Sequence, residues 1–174
     1  MKLPLKQDIK SPLKVREIVT LGILSGLMIA VQVGLSFLPN IELVSFLVII
    51  FTLVYRRKVT FILSIFILAE GIIYGFGLWW LNYLYIWAIL AIITALLHKM
   101  DSAFGWALVS GLFGLFFGAL CSIPYFFMGG WQTAFSYWVS GLLFDITHCI
   151  GNFVLCLLLY RPVYTLLCRL ERTA

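Results

Sequence analysis

The chain has 174 residues, 63% of them hydrophobic and 11% charged, with a mean hydropathy of +1.09. This composition excludes a water-soluble domain, because a small fold has too much surface for its volume to hide that much apolar side chain. The net charge of +5 follows membrane topology and contact with anionic lipid, not nucleic acid.

A spanning helix needs about 20 mostly apolar residues. Interruptions by Pro, Gly and charge predict an all-α integral membrane protein, a single six-helix bundle with helices near 16–38, 41–56, 59–77, 79–98, 103–127 and 133–160. Residues 1–14 and 161–174 form the flanking segments. The opening MKLPLKQDIKSPLKVRE is too polar for a signal peptide and leads straight into a full-length apolar helix. Within helix one, TLGILSGLMIAVQVG sets Gly22, Gly26, Ala30 and Gly34 at four-residue intervals. A small-residue stripe of this kind lets another helix approach closely, either inside the chain or from a different membrane subunit.

The turn LPNIE breaks the chain at Pro39 and Asn40, and Glu42 follows at the start of a short helix two. An anion there suits the helix N-terminus, as a cap or as a ligand contact. Helix three carries Glu70 seven residues before Gly77, about 10 Å along the axis, with Tyr74 one turn above it. Helix four opens on GLWWLNYLY, which brings Trp79, Trp80, Asn82 and Tyr83. The connection between helices five and six, IPYFFMGGWQTAFSYW, adds Tyr125 and Trp131. Part of this aromatic content is the interfacial belt expected of any membrane protein. The remainder fits the wall of an outward-facing ligand pocket, which is mostly apolar with a few placed polar groups.

Helix six contains LLFDITHCIGNFVL, in which Asp145, His148 and Asn152 share one helical face. Counted from Trp131, Asp145 lies about 20 Å along the helix, near mid-bilayer. Four readings stand open for this face: a metal site, a proton relay, polar fastening between helices, or contact with a ligand. The metal reading lacks a second ligand-bearing helix, and no metal is expected. Cysteines 121, 149, 156 and 168 lack paired spacing and read as small buried residues.

Orientation follows from the basic residues. Lys2, Lys6, Lys10, Lys14 and Arg16 precede helix one, Arg56, Arg57 and Lys58 join helices two and three, Lys99 joins four and five, and Arg161, Arg169 and Arg172 follow six. All twelve therefore fall on one side, which the positive-inside rule makes cytoplasmic, with both termini there. No nucleophile elbow, zinc-protease helix or Walker A sequence is present. A transport subunit of the cell membrane without its own ATPase site, and without a cofactor, is the expectation.

The glycine–alanine stripe of helix one, the aromatic outer face and the stretches LPNIELVS, EGIIYGFGLWWLNYLYIW, GALCSIPYFFMGGW and FDITHCIGNF resemble the substrate-binding S-components of energy-coupling factor (ECF) vitamin transporters. Gly22, Gly26 and Ala30 stand where that family favours an Ala-x-x-x-Ala motif, a departure that preserves the shape of the contact. The resemblance implies capture of a vitamin from outside and docking through helix one on a transmembrane coupling subunit carried by two cytoplasmic ATPases. It is greatest to the cobalamin-type S-components, with pantothenate, a pyridoxine-type compound or riboflavin as smaller alternatives. The implied substrate-binding set is Glu42, Glu70, Tyr74, Trp79, Trp80, Asn82, Tyr83, Tyr125, Trp131 and Asp145. A self-sufficient proton-coupled carrier using Asp145, His148 and Glu70 is the other class of function open to the same residues.

Overall fold

The structure, a computed structural model, describes residues 14–38 and 41–173. The Pro39–Asn40 break and the basic residues Lys2, Lys6 and Lys10 lie outside the described residues. The remainder is helical: α1 (Val15–Leu35), α2 (Val44–Tyr55), a 3-10 turn at Arg56–Lys58, α3 (Val59–Tyr74), α4 (Leu78–Leu96), α5 (Ala103–Leu115), α6 (Phe117–Cys121), α7 (Ile123–Ser140) and α8 (Leu142–Thr173). Three of these, α1, α4 and α8, are long and apolar enough to cross a membrane.

α2 is the centre of the molecule. Eleven of its residues are buried, and α1, α3, α4, α5 and α8 all pack on it. A helix enclosed on every side has no use for a polar stripe, so its sequence VSFLVIIFTLVY is apolar all round. Its Thr52 hydroxyl returns to the Val48 carbonyl at 2.6 Å. With twelve residues, α2 is about 18 Å long, well short of a bilayer's hydrocarbon core of about 30 Å. The turn after it places Arg56 at φ +55, and Lys58 then reaches Glu17 at the start of α1 with an N–O distance of 2.5 Å.

Two predicted boundaries need correction. The segment expected as one helix over 103–127 is broken at Phe116 and Ser122 into α5, α6 and the beginning of α7. The segment expected over 133–160 is likewise two helices. Gly129 and Gly130 kink α7 with non-helical angles, Gly141 ends it, and α8 starts only at Leu142. α8 then runs through Pro162 to Thr173, so the residues expected as a flanking segment after 160 continue the helix. Asp145 therefore sits in the first turn of α8, and a depth counted along an unbroken helix from Trp131 does not hold. α3 stops at Tyr74 because Gly75, at φ +86, takes a conformation that side-chain-bearing residues rarely adopt.

α5 and α8 make the most extensive helix pair, and glycines explain why. A Cβ on Gly111 would stand 3.1 Å from the Phe153 Cβ, and one on Gly114 would stand 2.9 Å from the His148 carbonyl oxygen. On α1 the opposite holds. Its buried face is Leu21, Leu24, Ser25 and Met28, while the glycine–alanine stripe is exposed, and among the described residues no atom beyond α1's own backbone lies within 4 Å of a Cβ built on Gly22, Gly26 or Gly34.

Candidate functional site

The site assembles where α2 begins. The Glu42 carboxylate accepts the Ser45 backbone N–H at 2.9 Å, which satisfies one of the free donors of the first helical turn. The same carboxylate lies 3.1 Å from His148 Nε2 on α8, so one side chain caps a helix and ties it to another. His148, outside the expected substrate-binding set, stands against Glu42. The helix that carries it, α8, begins at Leu142 rather than near residue 133.

One turn earlier on α8, Asp145 Oδ1 accepts the Gly118 N–H of α6 at 2.9 Å. Gly118 is required there because a Cβ would come within 2.5 Å of Asp145 Oδ2. Oδ2 itself has no hydrogen-bond partner among the described residues, nor do His148 Nδ1, Ser45 Oγ or either polar atom of the Asn152 amide, and all of these atoms are buried. The buried Trp138 indole N–H lies by the Asp145 carboxylate, short of a hydrogen bond of good geometry. Each unmade hydrogen bond of this kind costs on the order of 1–3 kcal/mol, and a lipid environment supplies no water to offset it.

An aromatic ladder runs from this cluster to Tyr74 at the end of α3. The Phe117 ring lies 5.1 Å from the His148 ring, Phe117 is 5.9 Å from Trp87, Trp87 is 5.4 Å from Tyr83, Tyr83 is 5.2 Å from Trp79, and Trp79 is 6.5 Å from Tyr74. Most of these contacts are edge-to-face, the geometry that ring quadrupoles prefer. Tyr83 stands within electrostatic reach of both Glu70 and Glu42. Glu70 is 1% exposed, and its Oε1 has no partner among the described residues.

Of the expected substrate-binding residues, Glu42, Tyr74, Trp79, Tyr83 and Asp145 thus belong to one connected network, with Glu70 buried one turn below Tyr74 on α3. Trp80 is committed to packing: its indole N–H donates to the Ile67 carbonyl at 2.8 Å, and its ring meets Phe76 edge-on. Asn82 is held by Tyr85, whose hydroxyl lies 2.9 Å from the Asn82 amide oxygen and 2.6 Å from the Leu120 carbonyl. One phenolic proton serves only one acceptor, so the set is complete when Tyr85 donates to Leu120 and the Asn82 amide is turned to donate to the phenol. Trp131 is exposed and stacks on Phe135. Tyr125 stacks on Tyr137 at 4.1 Å.

Sequence reasoning left His148, Asn152, Phe117 and Trp87 out of the binding set. The i, i+3, i+7 spacing of Asp145, His148 and Asn152 was the available signal for the first two; the two rings carry none that separates them from the rest of the core. Among the described residues no group of three or more His, Cys, Asp or Glu side chains could hold a metal ion.

Compared with protein-family models, curated proteins and solved structures, the chain matches none. The reading of its function therefore rests on its own residues and on the resemblance drawn from its sequence.

Proposed function

We propose that the chain is an S-component-like membrane subunit: a bundle of six crossings with cytoplasmic termini that captures a vitamin from the outer side and hands it inward by docking on an ATP-driven ECF module. The observation that carries the reading is the convergence of α2, α3, α4, α6 and α8 on one network of buried carboxylates and aromatic rings with unsatisfied polar atoms. Polar groups left unpaired away from water are costly, and in membrane proteins they mark ligand or ion paths. The exposed stripe Gly22, Gly26 and Ala30 supports the docking half of the proposal, because its grooves are open to a second helix. A cobalamin-type corrinoid is the substrate put first, its amide-bearing edge matched to Glu42, Asp145 and Asn152 and its flat ring to the Tyr83–Trp79–Tyr74 wall.

Calorimetric titration of the purified protein against cobalamin, cobinamide, pantothenate, pyridoxine and riboflavin tests this. Saturable binding of one of them without any ion gradient is expected. Binding of none, by protein that remains folded, would remove the vitamin reading. A second reading, a self-sufficient proton-coupled carrier, draws on His148 lying within reach of both the Glu42 and Asp145 charges. Gradient-driven uptake by this chain alone in liposomes would favour it over the first.

A further inference from the structure

Among the described residues, two cavities away from this network are lined by α8: one between α8 and the loop that precedes α5, the other between α8 and α5 itself. One, of about 220 Å3, is lined by Asp101, Tyr160, Arg161, Tyr164, Thr165 and Cys168. The other, of about 180 Å3, is an apolar groove lined by Leu108, Gly111, Leu112, Cys149, Ile150 and Phe153.

The first is built rather than incidental. Trp106 donates its indole N–H to the Met100 carbonyl at 3.2 Å, which holds the chain next to Asp101. The Trp106 ring stacks on Tyr160 at 6.3 Å, and Tyr160 stacks on Tyr164 at 5.5 Å with planes only 7° apart. Tyr160 and Tyr164 thus form a wall of the cavity backed by Trp106, and an acid, Asp101, and a base, Arg161, line the same space. Asp101 and Arg161 line the same space, yet they do not pair with each other, and among the described residues neither forms an ion pair. Opposite charges held apart around a small cavity suit a molecule that carries both charges in reverse order.

The groove says what the rest of that molecule is. Arg161 follows Phe153 by eight residues and Cys149 by twelve on one helix, so the groove lies about 12–18 Å from the charged cavity along the axis. That distance matches one leaflet, half of a hydrocarbon core of about 30 Å. Exposed Phe104, Leu157 and Leu158 continue the apolar surface on the same two helices. Charged cavity and apolar groove thus share the spacing of a lipid headgroup and its chain.

We propose that the α5–α8 face binds one phospholipid with a phosphoethanolamine headgroup. Its phosphate meets Arg161 and the Thr165 hydroxyl, its ammonium meets Asp101, and one acyl chain lies in the groove between Leu108, Leu112, Ile150 and Phe153. An anionic glycerol headgroup leaves Asp101 facing like charge. A choline headgroup offers Asp101 no N–H donor. The proposal stands independently of which solute the network around Glu42 takes.

The test is native mass spectrometry of the full chain from micelles that hold equimolar phosphatidylethanolamine, phosphatidylglycerol and phosphatidylcholine with identical acyl chains. Retention of the ethanolamine lipid at least about tenfold above the other two is expected, the scale of one lost charge-assisted hydrogen bond. Asp101→Asn should bring the three lipids near parity, and Arg161→Gln should lower retention of all three. Ile150→Trp, which fills the groove from its exposed side, should weaken retention without changing the headgroup order. Equal retention of the three lipids by the unaltered chain overturns the proposal, whether or not the variants fold. So does a preference that survives both charge substitutions in protein of unchanged helical content. Displacement by soluble glycerophosphoethanolamine at the concentration where the lipid competes would show a free headgroup site and overturn the role of the groove.

Discussion

Asp145 is tied to Gly118 by a single hydrogen bond, and its second oxygen is left over. Asparagine at 145 can still accept the Gly118 N–H through its amide oxygen. Asp145→Asn should therefore keep the fold while weakening solute binding, read as an unchanged melting temperature beside a raised dissociation constant; loss of folded protein would make Asp145 a fastening only. Gly118→Ala attacks the same contact from the other side. Its methyl would overlap the carboxylate, so a destabilisation of about 1–3 kcal/mol is expected in thermal unfolding. Glu42 and His148 form a pair with 15% and 7% side-chain exposure, too buried for solvent to screen fully. A double-mutant cycle on Glu42→Gln and His148→Gln should give a coupling of about 0.5–3 kcal/mol, and additive effects would mean that the 3.1 Å contact carries no energy.

At the level of elements, two small-residue stripes on two helices have opposite fates. On α5, Gly111 and Gly114 are spent inside the chain, pressed against Cys149, Phe153 and His148 of α8. On α1, Gly22 and Gly26 face open space. Gly26→Leu should leave the melting temperature of the isolated chain within the small range of a surface change, about 0.5 kcal/mol, while abolishing partner-dependent uptake. Uptake at the original level would end the docking role of α1. Gly114→Leu should instead prevent folding, because its side chain has nowhere to go but into the α8 backbone. Spacing alone, three residues on α5 and four on α1, does not say which stripe a neighbour will cover. Burial depends on which neighbour arrives, and that is settled by the whole bundle.

Across the whole molecule, the start of α1, the turn after α2 and the end of α8 meet at one end. Glu17 pairs with Lys58 there, and Tyr164 feels the charge of Arg56. Glu42 and His148 lie at the other end of α2, about 18 Å away by the helical rise. With the basic end at the cytoplasmic interface, the polar network would stand inside the bilayer and open toward the outer side. A green fluorescent protein fused to the C-terminus should fluoresce and a phosphatase fusion should stay inactive; the reverse pattern would invert the proposed orientation. Composition and hydropathy predict a helical, lipid-embedded chain, and the described residues are helical with three helices long and apolar enough to cross a membrane. The one-sided placement of twelve basic residues predicts the orientation in the same way. Packing alone decided the remainder: that α2 is a short enclosed helix, that Gly141 resets the count and lifts Asp145 into a first turn, that His148 answers Glu42 across 106 residues, and that Trp80 and Asn82 are hydrogen-bonded to Ile67 and Tyr85. Apolar periodicity is nearly silent in a sequence that is apolar everywhere, so the pairing of its few polar groups waits on the tertiary fold.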